Sequence, residues 1–245
     1  MTKTANELHL ASRGNRPESM LPESPQAGVA RLAPEPSGQP SSAKRASEAV
    51  VPTRYGTFRL VAYLESPSDK EHVAIVSGAP VPGVTPLVRV HSECLTGEVI
   101  YSLKCDCRDQ LDRALGRIAA APWGAVIYLR QEGRGIGLIN KLKAYALQDE
   151  QGLDTVDANR ALGFEDDLRD YNVAGQILRD LGMTTVRLLT NNPDKVEGLQ
   201  RAGIEVAERL AHFGDGTPHN ADYLEAKARR MRHDLPLPSP PLPEE

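Results

Sequence analysis

Apolar positions change their period along the chain, and the change divides it into parts. Between 51 and 91 they come in short runs. Phe58 to Leu64 alternates in part with polar positions, His72 to Val76 is compact and β-branched, and Pro86 to His91 is a third run. Each has strand character. Ser66-Pro67-Ser68-Asp69 and the segment from Gly78 to Gly83 supply turn chemistry between them. After Cys107 the period lengthens: Leu111, Ala114, Leu115 and Ile118 fall at i, i+3, i+4 and i+7, one apolar face of a helix. The apolar run Gly124 to Leu129 predicts a buried strand. From it Gly133-Arg134-Gly135-Ile136-Gly137 leads into a helix from about Leu138 to Gln148. A helix carrying Val173, Ala174, Ile177, Leu178 and Leu181 follows. Then come a strand from Thr185 to Thr190, a helix from Pro193 to Ala202, a strand from Ile204 to Arg209 and a helix from Ala221 to Arg232. Strands first, then strand–helix alternation, predict an α+β or mixed α/β fold: a mixed, partly parallel sheet with flanking helices.

The pattern fades at both ends. The first 50 residues hold six prolines among Ser, Ala and Glu, and 236–245 hold five more; no aromatic side chain lies before Tyr55 or after Tyr223. Such composition cannot bury enough apolar area to offset the entropy of ordering. Residues 1–50 and 235–245 are therefore expected to be disordered extensions of a single domain spanning 51–234. The N-terminal segment has no apolar stretch of a secretory signal, and its basic residues are balanced by glutamates, unlike an acid-poor transit peptide. A cytoplasmic location is the default expectation. No apolar run reaches about 18 residues, so no membrane span is expected. The net charge of −4 argues against a protein that coats nucleic acid.

Chemistry concentrates in a few places. All three cysteines fall in one short stretch, in His91-Ser92-Glu93-Cys94 and Lys104-Cys105-Asp106-Cys107. Three cysteines without an export signal do not suggest a disulfide framework, and the CxC spacing is not that of a thioredoxin-like redox pair. Three unrelated core thiols are the plain alternative. Clustering in a turn-prone, charged segment favours a metal site. Three thiolates fill all but one position of a tetrahedral zinc site; an open fourth position would make it catalytic, whereas His91 as fourth ligand would make it structural. Both remain open from spacing alone.

A second concentration is cationic. The segment from Arg130 to Gly137 follows a strand and opens a helix, where glycines let backbone N–H groups approach an anion. Arg89, Arg130, Arg134, Lys141, Lys143, Arg169 and Lys195 surround such junctions. That arrangement in an acidic chain suits a polyphosphate ligand better than a long nucleic acid. In Leu189 to Lys195, Asn192 and Pro193 have the residue types of a helix cap and first turn. Asp166-Asp167-Leu168-Arg169-Asp170 reads either as a solvated helix-start cluster or as a carboxylate base beside a phosphate-binding arginine.

Together, Arg89 to Gly97, Ser102 to Cys107, Arg130 to Lys141 and Leu188 to Lys195 resemble the GTP cyclohydrolase II family of riboflavin biosynthesis. The resemblance implies a hydrolase that opens the guanine imidazole ring of GTP at carbon 8. It would release formate and pyrophosphate and leave 2,5-diamino-6-(5-phospho-ribosylamino)pyrimidin-4(3H)-one. It also implies one Zn2+ per subunit on Cys94, Cys105 and Cys107, Mg2+ on the triphosphate, and a homodimer. Asp167 matches the general base, Arg169 the position proposed as nucleophile, and Tyr145 a tyrosine near the reacting ring. Arg89, Val90, His91, Ser92, Glu93, Gln110, Glu132, Gly133, Arg134, Thr155, Thr190 and Lys195 match GTP-contacting positions. Arginine is essentially always protonated, so stabilisation of phosphoryl charge competes with covalent attack as the role of Arg169. A paralogue that stops at the formylated intermediate or serves a secondary pathway is the alternative activity; a structural-zinc nucleotide-binding protein is the non-enzymatic one. One departure from the family pattern is Arg108, where glycine is common; a positive φ there would cost of order 1 kcal/mol.

Overall fold

The short apolar runs become strands of one mixed sheet. The computed structural model describes residues 41–214 and 220–234, and the two ends, 1–40 and 235–245, together with 215–219, lie outside the described residues. The strands are β1 (Ser42–Thr53), β2 (Gly56–Ser66), β3 (Glu71–Gly78), β4 (Leu87–Ser92), β5 (Trp123–Leu129), β6 (Thr185–Leu189) and β7 (Glu205–Leu210), in the order β1-β2-β3-β5-β4-β6-β7. From β1 to β5 the neighbours run antiparallel, as in the pair Val73 and Tyr128; from β5 to β7 they run parallel, as in Val90 opposite Ile127. Two hairpins, β1-β2 and β2-β3, give two of the antiparallel pairs, β3 against β5 is the third, and helical crossovers give the parallel ones.

The helices are α1 (Leu95–Glu98), α2 (Cys107–Ala119), α3 (Gly137–Gln151), α4 (Thr155–Ala161), α5 (Asn172–Asp180), α6 (Pro193–Arg201) and α7 (Ala221–Arg230), with a 3-10 turn at Glu132–Gly135. Strand alternation sends side chains to two cores. Val88, Val90, Ala125, Ile127 and Leu129 pack with Val173, Ile177 and Leu178 of α5 and Leu199 of α6. On the other face Phe58, Leu87, Val126 and Leu189 pack with Ala114 and Ile118 of α2. Arg89 and His91 share that second face with Leu87 by the two-residue period, which carries them toward α2 and the mouth of the site. No helix among the described residues is long and apolar enough to cross a membrane.

Two features depart from the sequence expectation. β1 begins at Ser42, so 42–50 belong to the sheet and not to a disordered extension. Its side chains are small, charged and mostly exposed, so no apolar pattern marks it. Its order comes from a neighbour: it pairs with β2 from Ser42 opposite Ser66 to Thr53 opposite Gly56. Gln176 of α5 also accepts from the Ala43 N–H at 2.8 Å and donates to the Ser41 carbonyl at 2.9 Å. Charged edge strands of this kind resist pairing with other chains. The helices α1 and α4 were also missed, because four and seven residues are too short for a periodic pattern. The signal for α4 is its cap, Asp154, whose carboxylate accepts from the N–H groups of Val156 and Asp157 at 2.7 and 2.9 Å.

Candidate active site

The cysteines converge because each sits at a chain reversal. Cys94 caps α1 just after β4, Cys105 lies in the following turn, and Cys107 opens α2. Their sulfurs all lie within 4.8 Å of one another, with Cys94 and Cys105 3.7 Å apart. Gly97 makes room for them: a methyl group there would lie 2.8 Å from the Cys105 sulfur and 3.3 Å from that of Cys94. The three thiols behave as one acid. Cys94 is held far below the ordinary thiol range by hydrogen bonds from Cys105 and Cys107. Cys107 is held well above it because its proton serves Cys105 and Cys94. A soft divalent cation is the partner that lets such a donor set ionise together, and three sulfurs fit zinc with one position left open.

His91 is not part of that group. Its Nε2 donates to Glu98 Oε1 at 2.8 Å, while the Tyr128 hydroxyl donates to Glu98 Oε2 at 2.6 Å. The four-ligand structural alternative therefore has no support among the described residues. Around Cys94 the second layer is ionic. Lys141 Nζ donates to the Cys94 sulfur at 3.1 Å and to Glu132 Oε1 at 2.7 Å, and Glu132 Oε2 accepts from the Leu95 N–H at 2.7 Å. Tyr145 places its hydroxyl 3.5 Å from Thr96 Oγ1, beside the same sulfurs. Arg108 lies within α2 without a positive φ, so the strain expected of a glycine replacement is absent. It donates to the Glu98 carbonyl at 3.0 Å and to Asp112 at 3.0 Å, capping α1.

The cysteine cluster forms one end of a cleft that also takes in Glu93, Glu132, Gly133, Tyr145 and Thr155. A second cleft adjoins it and holds Arg89, His91, Gln110, Thr190 and Lys195. Ser92, Cys107, Arg134, Arg169 and Tyr223 line both, so the two are halves of one site. The second half contains five cations, Arg89, Arg134, Arg169, Lys195 and Lys227, and no carboxylate among the described residues lines it. Burial, then the nearby charges of Arg89 and Arg169, push the Lys195 ammonium well below its ordinary pKa; burial also pulls Arg89 down to about 10. Like charges crowded this way lack a counter-anion.

The glycine turn supplies the sharpest sign of one. Gly133 and Arg134 both adopt left-handed backbone, φ 61°, which costs a non-glycine residue on the order of 1 kcal/mol. Both terminal guanidinium nitrogens of Arg134 are buried and have no hydrogen-bond partner among the described residues. Gly135, at φ +94°, allows the turn to meet the 167–169 segment: a methyl there would lie 3.0 Å from the Leu168 Cβ. The Leu168 N–H also donates to the Arg134 carbonyl at 3.0 Å.

That segment resolves the acidic cluster. Asp166 pairs with Arg160 at 2.8 Å, and Asp170 accepts from the Asn172 N–H at the start of α5. Asp167 instead clamps Arg169, accepting from its Nε at 2.8 Å, from its backbone N–H at 3.0 Å and from a terminal nitrogen. Against the pull of burial, the neighbouring charges keep Arg169 protonated, with its pKa raised above the ordinary value. It faces the cleft, and Asp167 stands behind it.

Of the positions expected at the site, two do not line it. Val90 is buried in the core, offering only its carbonyl to Lys195 Nζ at 2.7 Å, and Asp167 lies behind Arg169, bonded to its Nε at 2.8 Å. The others line one cleft or both. Asn192 caps α6, accepting from the Asp194 N–H at 2.8 Å, yet its amide nitrogen is buried, unpartnered and part of the cation-lined cleft. Residues of the site that the sequence did not single out include Tyr223 and Lys227 of α7, and His212 and His233. Nothing local marks them; Lys227 pairs with Asp106 across 121 positions.

Residues 44–211 match the family profile described as GTP cyclohydrolase II. The chain belongs to the GTP cyclohydrolase II family. Its relatives include a GTP cyclohydrolase-2 from Actinobacillus succinogenes, 50% identical over 78% of this chain and 87% of that protein. Another is the riboflavin biosynthesis protein RibBA of Bacillus subtilis, 53% identical over 78% of this chain and 48% of that protein. The chain thus spans about half the length of the RibBA relatives it matches. All three cysteines, the glycine turn and the Asp167–Arg169 pair fall within the GTP cyclohydrolase II match, whereas α7 lies beyond it.

Proposed function

We propose that this chain hydrolyses GTP at two places, opening the imidazole ring at carbon 8 and cleaving the α–β phosphoanhydride. The products are formate, pyrophosphate and 2,5-diamino-6-(5-phospho-ribosylamino)pyrimidin-4(3H)-one. One observation carries the reading: a three-thiol cluster and a cleft of five cations share Cys107, Arg134 and Arg169 as common walls. A ring carbon and a phosphoanhydride of one nucleotide can therefore be served in adjoining halves of one site.

Cys94, Cys105 and Cys107 hold zinc in this reading. When bound, zinc would supply Lewis acidity and lower the pKa of a bound water to about 7. The chain's own residues do the rest. Lys141 and Glu132 fix the Cys94 sulfur and the start of α1. Tyr145, at the cysteine end, offers a hydroxyl to the ring side of the substrate. Arg89, Arg134 and Lys195 neutralise the triphosphate, with Mg2+ as the added counter-charge. Arg169 is positioned by Asp167 through its side chain and backbone, and acts as a fixed charge on the phosphorus undergoing cleavage. Asp167 has one further role in this reading, accepting a proton at its carboxylate. A homodimer fits the exposed apolar side chains of Val99, Ile100, Tyr101 and Leu103 beside the cysteine loop.

The test is to incubate the zinc-loaded protein with GTP and Mg2+ and to quantify formate and pyrophosphate separately. The reading predicts equal amounts of both. Pyrophosphate without formate would contradict ring opening.

A further inference from the structure

The matched family region ends at residue 211, yet the cleft of five cations is not closed by that region alone. Beyond it the wall is made by His212 and, for the most part, by α7 and the residues after it: Tyr223, Lys227, Met231 and His233. We infer that this C-terminal segment completes a polyphosphate-binding cleft and that Lys227 is its phosphate-binding residue. The inference rests on the proposed reading of the cleft as a triphosphate site.

Lys227 is a buried lysine of α7, 8% exposed. Its ammonium donates to Asp106 Oδ1 at 2.8 Å and lies 4.1 Å from the centre of the Tyr223 ring. An ammonium carries three donors, and Asp106 engages one. Asp106 is fully buried between two of the cysteines, with its other oxygen accepting from Gln110 Nε2 at 2.6 Å. Lys227 is thereby held at the junction of the thiol cluster and the cation-lined half. Two of the five cations are offset by carboxylates, Lys227 by Asp106 and Arg169 by Asp167. Among the described residues Arg89, Arg134 and Lys195 have no carboxylate partner, and the buried terminal guanidinium nitrogens of Arg134 have no hydrogen-bond partner. That excess suits a multiply charged anion, and the mobile proton donors of a lysine suit a phosphate oxygen as a point charge.

The segment is fastened by polar contacts more than by apolar burial. Arg230 pairs with Asp154 and Asp157 of α4, the Asp234 N–H donates to the Asn191 carbonyl at 3.0 Å, and Arg209 pairs with Asp234 at 2.7 Å. Ala226 and Met231 are its buried apolar side chains. Exposed ion pairs hold weakly, so an anion bridging Lys227 to Arg134 adds substantially to the hold on α7.

Inorganic tripolyphosphate tests this directly, because it has no ring to open. Calorimetric titration of the zinc-loaded protein compares wild type with Lys227→Gln, Lys227→Arg and, on the outer face of α7, Arg229→Gln. Lys227→Gln is expected to weaken binding about tenfold or more, the loss of one charged hydrogen bond. Lys227→Arg should restore most of it, and Arg229→Gln, whose parent side chain pairs with Glu225, should match wild type. Zinc content checks that each variant folds. With GTP, Lys227→Gln should raise KM more than it lowers kcat. Deuterium exchange on wild type needs no variant: tripolyphosphate should slow exchange across 221–234. Unchanged affinity in Lys227→Gln, or unchanged exchange in that segment, overturns the inference. Tripolyphosphate binding through Lys227 without formate release from GTP would leave the inference standing and remove the proposed reaction. Formate release with unchanged affinity would do the reverse.

Discussion

Gly97→Ala is the most informative small change to the cysteine cluster. The new methyl would sit 2.8 Å from the Cys105 sulfur, 3.2 Å from the Cys107 Cβ and 3.3 Å from the Cys94 sulfur. Relaxed carbon contacts lie at about 3.5–4.0 Å, so the nearest sulfur must retreat by on the order of 1 Å. Zinc ligands keep their distances to within about 0.2 Å. The required shift is several times that tolerance, and it falls on two of the three ligands. Gly97 lies in α1 without a positive φ, so backbone strain does not enter. Overpacking of this kind costs about 1–3 kcal/mol. Carried into the ligand geometry, it should lower zinc affinity by roughly 10–100-fold, as disturbances just outside a metal's ligands do. The assay is competition with a chromogenic chelator, with circular dichroism to confirm the fold. Wild-type zinc affinity in a folded Gly97→Ala protein would refute the assignment of the three cysteines as one ligand set.

Three further changes probe the layers around the cluster. Glu132→Ala removes the partner of buried Lys141 and of the Leu95 N–H; unfolding in urea should show a loss of about 3–5 kcal/mol, as for a broken buried ion pair. Arg169→Lys keeps the charge but not the two-point clamp by Asp167. Pyrophosphate release should slow by roughly 10²–10³-fold, and intact mass of quenched wild type should show no guanylyl adduct, since a protonated Arg169 acts as a charge. His212 has its pKa lowered to about 3, first by burial and then by Arg89. A histidine depressed in the folded state adds stability above its unfolded pKa near 6.5, and that stability is lost as pH falls below it. His212 thus removes about 1 kcal/mol between pH 6.5 and 5.5; His212→Gln should flatten urea-derived stability over that interval by this amount.

The local patterns of the chain were legible where a single element carried them. Amphipathic α2 declares itself through burial on one face, β5 through burial on both, and the glycine turn through its residue types. The thiol cluster was legible for the same reason, since all three cysteines lie on adjoining turns. What escaped depends on partners distant in sequence. β1 owes its order to β2 and to Gln176, so its own composition points to a tail. α7 was legible as a helix, but its part in the site comes from Lys227 meeting Asp106 and from Arg230 meeting α4. His91 illustrates the remaining gap. Its spacing allowed a fourth metal ligand, and only the fold shows its Nε2 committed to Glu98.

The central claim is that the three cysteines hold the metal on which ring opening depends. Its most direct test is metal content together with formate release from GTP, measured on wild type and on Cys105→Ser. One zinc per wild-type chain with formate released is expected, and loss of both in the variant. A Cys105→Ser protein that kept its zinc and its formate release would contradict it.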